Sequence, residues 1–347
     1  MTVAYCYHPV EQEHTQRGHP ENKERLRETM DLLEQQGLLA KMAPVEATPI
    51  AMSHLERVHS LQYVDSVRSM SERGGGHLDP DTYVASRSYE AALMSAGGLV
   101  NLVDSVLEGK VTHGFNLMRP PGHHALTSRG MGFCIFNNVA IAARYAQTEL
   151  GIERVLIVDF DVHHGNGTQD TFWGDPSVLF FSTHQYPYYP GTGDWREIGV
   201  GEGQGTTCNV PLRAGVGNEG YIRIFDELLW PLAERFRPQL ILVSAGYDAH
   251  WQDPLAGMRL SLSGYVFLAQ TLKMMAEELC GGRLVFTLEG GYHLQALAYA
   301  VLNTLRVLLG ELSADEGKLL DPLGPYLHTE TPVDSLLLQL KGVHRLV

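Results

Sequence analysis

Positive charge is what this 347-residue sequence has least of: 26 Lys and Arg stand against 40 Asp and Glu, a formal charge of −14. A duplex-binding surface needs a basic patch to displace counterions, so nucleic acid is excluded as the expected partner and a cationic substrate fits better. Cysteine is equally sparse. The four, at 6, 134, 208 and 280, show no CxxC spacing, which excludes a small disulfide framework and reads as buried or near-site thiols in a reducing compartment. Nowhere do 18 uncharged apolar residues follow one another, and Met1 to Tyr7 has no basic stretch. No membrane is expected, and the default is a cytoplasmic protein. Only 19% of residues are charged while 44% are hydrophobic, which excludes a disordered chain.

What is abundant is glycine, 36 residues, and histidine, 16, with adjacent pairs at His123-His124 and His163-His164. Short apolar runs alternate with longer helical patterns, the signature of parallel strands joined by crossover helices. The strongest strands are Arg154 to Phe160, Gln239 to Ala245 and Arg283 to Leu288. Weaker ones are Val3 to Tyr7, Gly114 to Met118, Val178 to Ser182 and Thr207 to Leu212. Helices are read from Leu26 to Gly37, Ala91 to Leu107, Asn138 to Leu150, Tyr221 to Phe236, Ser263 to Leu279 and Leu294 to Leu309. Residues 185–206, aromatic and rich in glycine, form a loop too long to be a simple connector.

The best strand runs out through Asp159, Asp161 and His163, which alternation places on one side. Two carboxylates and an imidazole crowded together repel or desolvate one another unless a cation lies between them. The second long strand ends at Asp248. Ligands of parallel sheets bind outside the carboxyl ends of the strands, so Asp161, His163 and Asp248 can meet in one crevice. Three protein ligands with an open fourth position is how a catalytic zinc is held. A lone Asp at a strand end is more simply a helix cap, and three at matching ends outweigh that reading. His123 and His124 follow Pro120-Pro121-Gly122, a rigid turn suited to an oriented acid and base, with Asp159 and Asn166 available to orient them. The third strand runs into Glu289-Gly290-Gly291-Tyr292, where a tyrosine hydroxyl can donate to a developing oxyanion.

RPPGHHA, GFCIFNN, DFDVHHGNGTQ, YYPGTGD, SAGYDAHWQDPL and LEGGYH, in this order, resemble the zinc-dependent histone deacetylase family, in particular its class II-like and bacterial amidohydrolase and acetylpolyamine amidohydrolase branch. The resemblance runs from about residue 15 to about 310. It implies the arginase-deacetylase fold: an α/β chain with a mostly parallel central sheet of about eight strands flanked by helices. Residues 1–347 are read as one deacetylase domain, with 311–347 a C-terminal extension packed on it.

Carried over residue by residue, the resemblance makes Asp161, His163 and Asp248 the ligands of one zinc ion. His124 becomes the general base and acid, with His123 as its electrostatic partner and Tyr292 as the oxyanion donor. Asp159 pairs with His123 and Asn166 with His124. Phe133, beside Gly132, and Tyr189 become the aromatic walls of an acyl-lysine tunnel, Leu255 a residue at its mouth, and Asp79 the loop acid that holds the substrate backbone. Potassium next to the zinc would involve Asp159, Asp161, His163 and Ser182. The implied substrate is an acyl-lysine protein or peptide, with an acetylated polyamine as the alternative. Polyamine-selective relatives carry an acid where Leu255 stands, which favours acyl-lysine. A binuclear manganese ureohydrolase is disfavoured because position 166 is not a carboxylate. A binding module without turnover is disfavoured because both histidines and Tyr292 are kept. Oligomeric state, including a homo-oligomer, stays open.

Overall fold

The computed structural model of the protein describes residues 2–314 and 319–346. The seven apolar runs become strands of one sheet: β1 (Val3–Cys6), β5 (His113–Asn116), β6 (Val155–Asp159), β7 (Val178–Gln185), β8 (Thr207–Leu212), β9 (Leu240–Ala245) and β10 (Leu284–Leu288). An eighth, β2 (Ala43–Val45), adds to the edge, and the remaining two, β3 (Gly75–Asp79) and β4 (Thr82–Ala85), form a separate antiparallel hairpin. The order is β2-β1-β5-β10-β9-β6-β7-β8, and every neighbouring pair is parallel. This is the helix-flanked parallel sheet expected of the arginase-deacetylase fold.

Side chains alternate between two apolar layers. In β6, Leu156 and Val158 enter one and Val155 and Ile157 the other; in β9, Ile241 and Val243 oppose Leu240 and Leu242. Both faces are covered, which is why these strands read as unbroken apolar runs. Helices Glu24–Gln35, Leu262–Cys280 and Leu294–Leu308 cover one face, and Ser88–Leu107 and Asn138–Glu149 the other. Ser88–Leu107 is long and apolar enough to cross a membrane by length and composition, but 67% of it is buried inside the molecule, as befits a core helix.

The helix expected over Tyr221–Phe236 is interrupted by a wide turn, Phe225–Leu229, between Asn218–Ile224 and Trp230–Phe236. Pro231, with no N–H to donate, sits at the start of the last piece and accounts for a break there. Beyond residue 310, helix Asp334–Val343 sets Leu337 and Leu340 into the core and pairs Asp334 with Arg223 and Lys341 with Glu227. Positions 315–318 and 347 of that C-terminal stretch lie outside the described residues.

Five adjacent strands in the middle of the sheet, β5, β10, β9, β6 and β7, each deliver a motif from their carboxyl ends. In order these are the His123-His124 turn, the Glu289–Tyr292 loop, Asp248, the Asp161–His163 run and the Tyr188-Tyr189 loop. The topology alone converges them on one rim.

Candidate active site

β6 stops pairing at Asp159, one residue short of the apolar run read from the sequence and before the alternation reaches Asp161 and His163. Asp159 Oδ1 accepts the N–H of Asp161 at 3.2 Å, and Asp161 Oδ1 accepts that of His163 at 2.8 Å. These local bonds replace the ladder while keeping Asp161 and His163 directed into the same crevice. There Asp161, His163 and Asp248 each bring one ligand atom within 4.8 Å of the others. His163 Nδ1 stands 3.1 Å from Asp161 Oδ1 and 3.2 Å from Asp248 Oδ2.

The donor set fits a divalent cation. Asp248 Oδ1 accepts the Val162 N–H at 2.9 Å, but Asp248 Oδ2, fully buried, faces only the His163 ring. Burial and the neighbouring Asp161 push the Asp248 carboxyl up to about 7 against the pull of His163, so this pair resists double ionisation without a cation. Two carboxylates and one imidazole are a zinc-type set. Two glycines make room for them. A Cβ on Gly246 would lie 2.1 Å from Asp161 Oδ2, and one on Gly290 would lie 2.1 Å from Asp248 Oδ2. His123, Cys134 and Glu289 also cluster within 4.8 Å. Here Glu289 Oε2 already accepts two backbone N–H groups and His123 Nδ1 meets Asp159.

The two histidines of the Pro-Pro-Gly turn are held differently. His123 Nδ1 meets Asp159 Oδ2 at 2.9 Å. Burial disfavours its charge, yet Asp159, Asp161 and Glu289 outweigh burial and lift it to about 10. His124 Nδ1 meets Asn166 Oδ1 at 2.8 Å, while burial and the charges of His123 and His163 hold it well below the ordinary histidine value. An amide oxygen only accepts, so Nδ1 carries the hydrogen and Nε2 keeps its lone pair. The rings of His123 and His124 stand 4.0 Å apart, between centroids.

A cavity of about 230 Å³ opens beside them, walled by Phe133, Tyr188, Tyr189 and Tyr292, with Gly132, His124 and His163 along it and Leu255 and Asp81 completing its lining. Phe133 holds a left-handed backbone (φ 67°), a conformation that costs a bulky residue about 1–2 kcal/mol. Its N–H donates to Thr82 Oγ1 at 3.0 Å, so the β3–β4 hairpin fixes this wall. A Cβ on Gly132 would lie 2.3 Å from the His124 ring, so the chain must be bare where it passes the histidine. Tyr188 reaches across the mouth and donates to the Leu255 carbonyl at 2.9 Å.

One residue differs from expectation. Asp79 does not line the cavity; Asp81 does. The hairpin bulges between His77 and Asp79, and Asp79 Oδ1 is turned back to accept the Asp81 N–H at 3.1 Å, which leaves Asp81 at the rim. Ser182 lies opposite Asp159 in the β6–β7 register, and its hydroxyl pairs with His184 Nδ1 at 2.9 Å.

Several supports escaped sequence reasoning. Asp253 Oδ2 accepts the N–H groups of Tyr292 (2.7 Å) and His293 (3.1 Å), and Asp253 Oδ1 accepts that of Leu255 (3.0 Å). Arg25, fully buried, donates to the carbonyls of Gly291 and Glu289 at 2.7 and 2.6 Å and covers the Tyr292 ring. Glu289 is buried too, and burial raises it to about 7 against the pull of His123. Asp253 and Glu289 stood inside recognisable motifs, and Arg25 lay one residue before the first helix read from the sequence.

A family model described as the histone deacetylase domain matches residues 19–308. Among curated relatives, "Histone deacetylase 10, chloroplastic" of Oryza sativa subsp. japonica is 44% identical over 328 residues, covering 90% of this chain and 74% of its own length. "Polyamine deacetylase HDAC10" of Homo sapiens is 41% identical over 304 residues, covering 84% of this chain and 45% of its own length. The crystal structure of the HDA15 HD domain superposes with a TM-score of 0.90 at 35% identity, over 99% of this chain and 94% of that one. The rice protein also corrects the expectation of a cytoplasmic chain. A relative this similar is chloroplastic, so buried thiols and an N-terminus without a basic stretch do not assign the compartment.

Proposed function

Because this chain belongs to the histone deacetylase family, we propose that it is a zinc-dependent amidohydrolase that removes acetyl or other acyl groups from the side-chain amine of lysine in proteins, releasing acetate. The observation that carries the reading is the meeting of Asp161, His163 and Asp248 with His124 and Tyr292 around one narrow aromatic cavity.

Asp161, His163 and Asp248 would hold the zinc ion, which when bound polarises the scissile carbonyl and the attacking water. Phe133 and Tyr189 flank the aliphatic stem of the lysine and keep water from it. His124, with Nε2 unprotonated, takes the proton of the water as it attacks and returns it to the leaving amine. His123, lifted to about 10 and paired with Asp159, adds fixed positive charge beside the developing oxyanion, and the Tyr292 hydroxyl donates to that oxyanion. Asp81 at the rim accepts from a substrate backbone N–H, the role expected of Asp79. Residues 1–347 would work as one deacetylase domain.

An acetylated polyamine is the second reading. It is favoured by the carboxylate of Asp81 at the mouth and by the human polyamine deacetylase among the relatives. Leu255, which brings no charge to the lining, weighs against it. Metal analysis with side-by-side rates on an acetyl-lysine peptide and acetylspermidine tests both readings. The peptide is expected to be the better substrate, and Tyr292→Phe is expected to fold, keep zinc and lose on the order of 100-fold in kcat. A chain that neither binds zinc nor gains activity from it would overturn the mechanism.

A further inference from the structure

We propose that Glu289 is a positioning residue that fixes the distance between the base-bearing turn and the oxyanion-donor loop by gripping the backbone of Gly122 and His123. The proposal rests on the amide-hydrolysis reading above. Glu289 directly follows β10, three residues before Tyr292, and is fully buried. Its Oε2 accepts the N–H of Gly122 at 2.7 Å and that of His123 at 3.2 Å, and its Oε1 accepts the Ser244 hydroxyl at 2.9 Å. Ser244 lies in β9, four residues before Asp248. One carboxylate thus joins three strand ends that carry separate parts of the chemistry.

The imidazole contacts of the turn orient rings only. His123 is aimed by Asp159 and His124 by Asn166, both through Nδ1. Neither contact sets where the main chain of the turn stands relative to Tyr292. The Glu289 grip does, because it is the direct tie between the Gly122-His123 backbone and the segment that bears the tyrosine. Gly122 leaves the turn little freedom on its other side: a Cβ there would lie 2.5 Å from Asn138 N and 2.6 Å from Phe136 O. Two successive N–H groups on an ionisable oxygen are among the stronger hydrogen bonds available, and misplacing reacting groups by about 1 Å can cost 100-fold in rate.

Two variants of the full zinc-loaded chain separate position from charge. Glu289→Gln keeps the reach and loses the charge; its carbonyl oxygen can still accept from Gly122 and His123 while its amide donates to Ser244. Glu289→Asp keeps the charge and loses a methylene, about 1.5 Å of reach. Expected for the aspartate variant is a fall in kcat on an acetyl-lysine peptide on the order of 10- to 100-fold, with KM and zinc content near wild type. Amide hydrogen exchange in the segment 118–126 should speed up by at least about 10-fold. The glutamine variant should keep kcat within about 5-fold and exchange near wild type. Wild-type kcat and exchange in the aspartate variant would overturn the proposal. So would a glutamine variant as impaired as the aspartate one, or losses that merely follow loss of zinc. A wild-type chain inert on every acylated amine would instead refute the assigned reaction, and the exchange data would still decide whether Glu289 holds the turn.

Discussion

Gly290→Ala tests the ligand crevice with a single methyl group. Gly290 does not have a left-handed backbone, so alanine fits the main chain and any effect must come from its Cβ. That atom would lie 2.1 Å from Asp248 Oδ2 and 2.5 Å from Asp161 Oδ2, where ordinary contact begins at 3.4 Å. The Asp248 oxygen must therefore retreat by about 1.3 Å and the Asp161 oxygen by about 0.9 Å. Metal-ligand distances tolerate only about ±0.2 Å, so the substitution removes two of three ligands from useful range. Retreat is hard for Asp161, since the Gly290 N–H itself holds Oδ2 at 2.7 Å. Disturbing groups that merely orient ligands costs roughly 10- to 100-fold in metal affinity, so displacing two ligands should cost more than about 100-fold. Overpacking should also lower stability by about 1–3 kcal/mol.

The assay is zinc titration of the metal-stripped chain against a competing chromophoric chelator, with Tm measured with and without zinc. At a free zinc level of about 100 times Kd the wild type gains about 2.7 kcal/mol, and the variant should gain almost nothing. Gly342→Ala, in helix Asp334–Val343 with nothing within 4 Å of the added Cβ, is the control and should leave zinc binding unchanged. A Gly290→Ala chain with wild-type zinc affinity would refute the assignment of Asp161 and Asp248 as neighbouring ligands.

Arg119→Met should lower the unfolding free energy by about 3–5 kcal/mol in urea, because Arg119 bridges the buried carboxylates of Glu11 (2.8 Å) and Glu21, and its loss leaves Glu11 without a counter-charge and Glu21 with Arg25 alone; a change under about 1 kcal/mol would contradict that picture. His113, buried with neither ring nitrogen hydrogen-bonded, is lowered by burial to about 4 from 6.5. A depressed folded-state value means the unfolded chain binds more protons, so His113 contributes stability above pH 6.5 that is lost as pH falls toward 4, about 3 kcal/mol at most. His113→Leu should flatten that part of the pH–Tm curve, and an unchanged slope would refute the attribution. Leu255→Glu brings a second carboxylate to the mouth lined by Asp81 and should raise kcat/KM for acetylspermidine relative to acetyl-lysine peptide on the order of 10-fold; an unchanged ratio would remove Leu255 as a selectivity element.

The sheet and the three residues that meet in its crevice were legible in the sequence because both depend on short-range pattern. Continuous apolar runs identify strands buried on both faces, and Asp-x-Asp-x-His at the end of one is visible without knowing any contact. What escaped depends on partners far apart in the chain. β2 is a three-residue edge strand containing Pro44, and proline at an edge is a weak strand signal. Asp81 rather than Asp79 reaches the cavity because of one bulge in a hairpin whose register the local residues did not reveal. Arg25 acts on residues more than 260 positions away, and Glu289 on a turn 166 and 167 positions away. The sequence says nothing of what stands against Gly246 and Gly290, and only the approach of the carboxylates shows why they must be bare.

The acidity that opened the sequence is partly interior, and its distribution argues for the cation independently of any relative. Among the described residues seven carboxylates are buried, those of Glu11, Glu21, Asp159, Asp161, Asp248, Asp253 and Glu289, with Arg25 and Arg119 as the buried guanidinium groups. Glu21 pairs with both arginines. Glu11 shares Arg119 but keeps one oxygen bare, and burial lifts it to about 7, toward the neutral form. Asp159 has His123 and the Asp161 N–H; Asp253 has three N–H groups; Glu289 has two and a hydroxyl. That leaves Asp161, which accepts from the N–H groups of His163 and Gly290, and Asp248, whose buried Oδ2 faces only the His163 ring. An uncompensated carboxylate in such a place is expensive, and protonating it would spoil a ligand. A divalent ion held by both carboxylates and a neutral His163 would form a site with no net charge, and would satisfy the Asp248 oxygen and relieve the repulsion together.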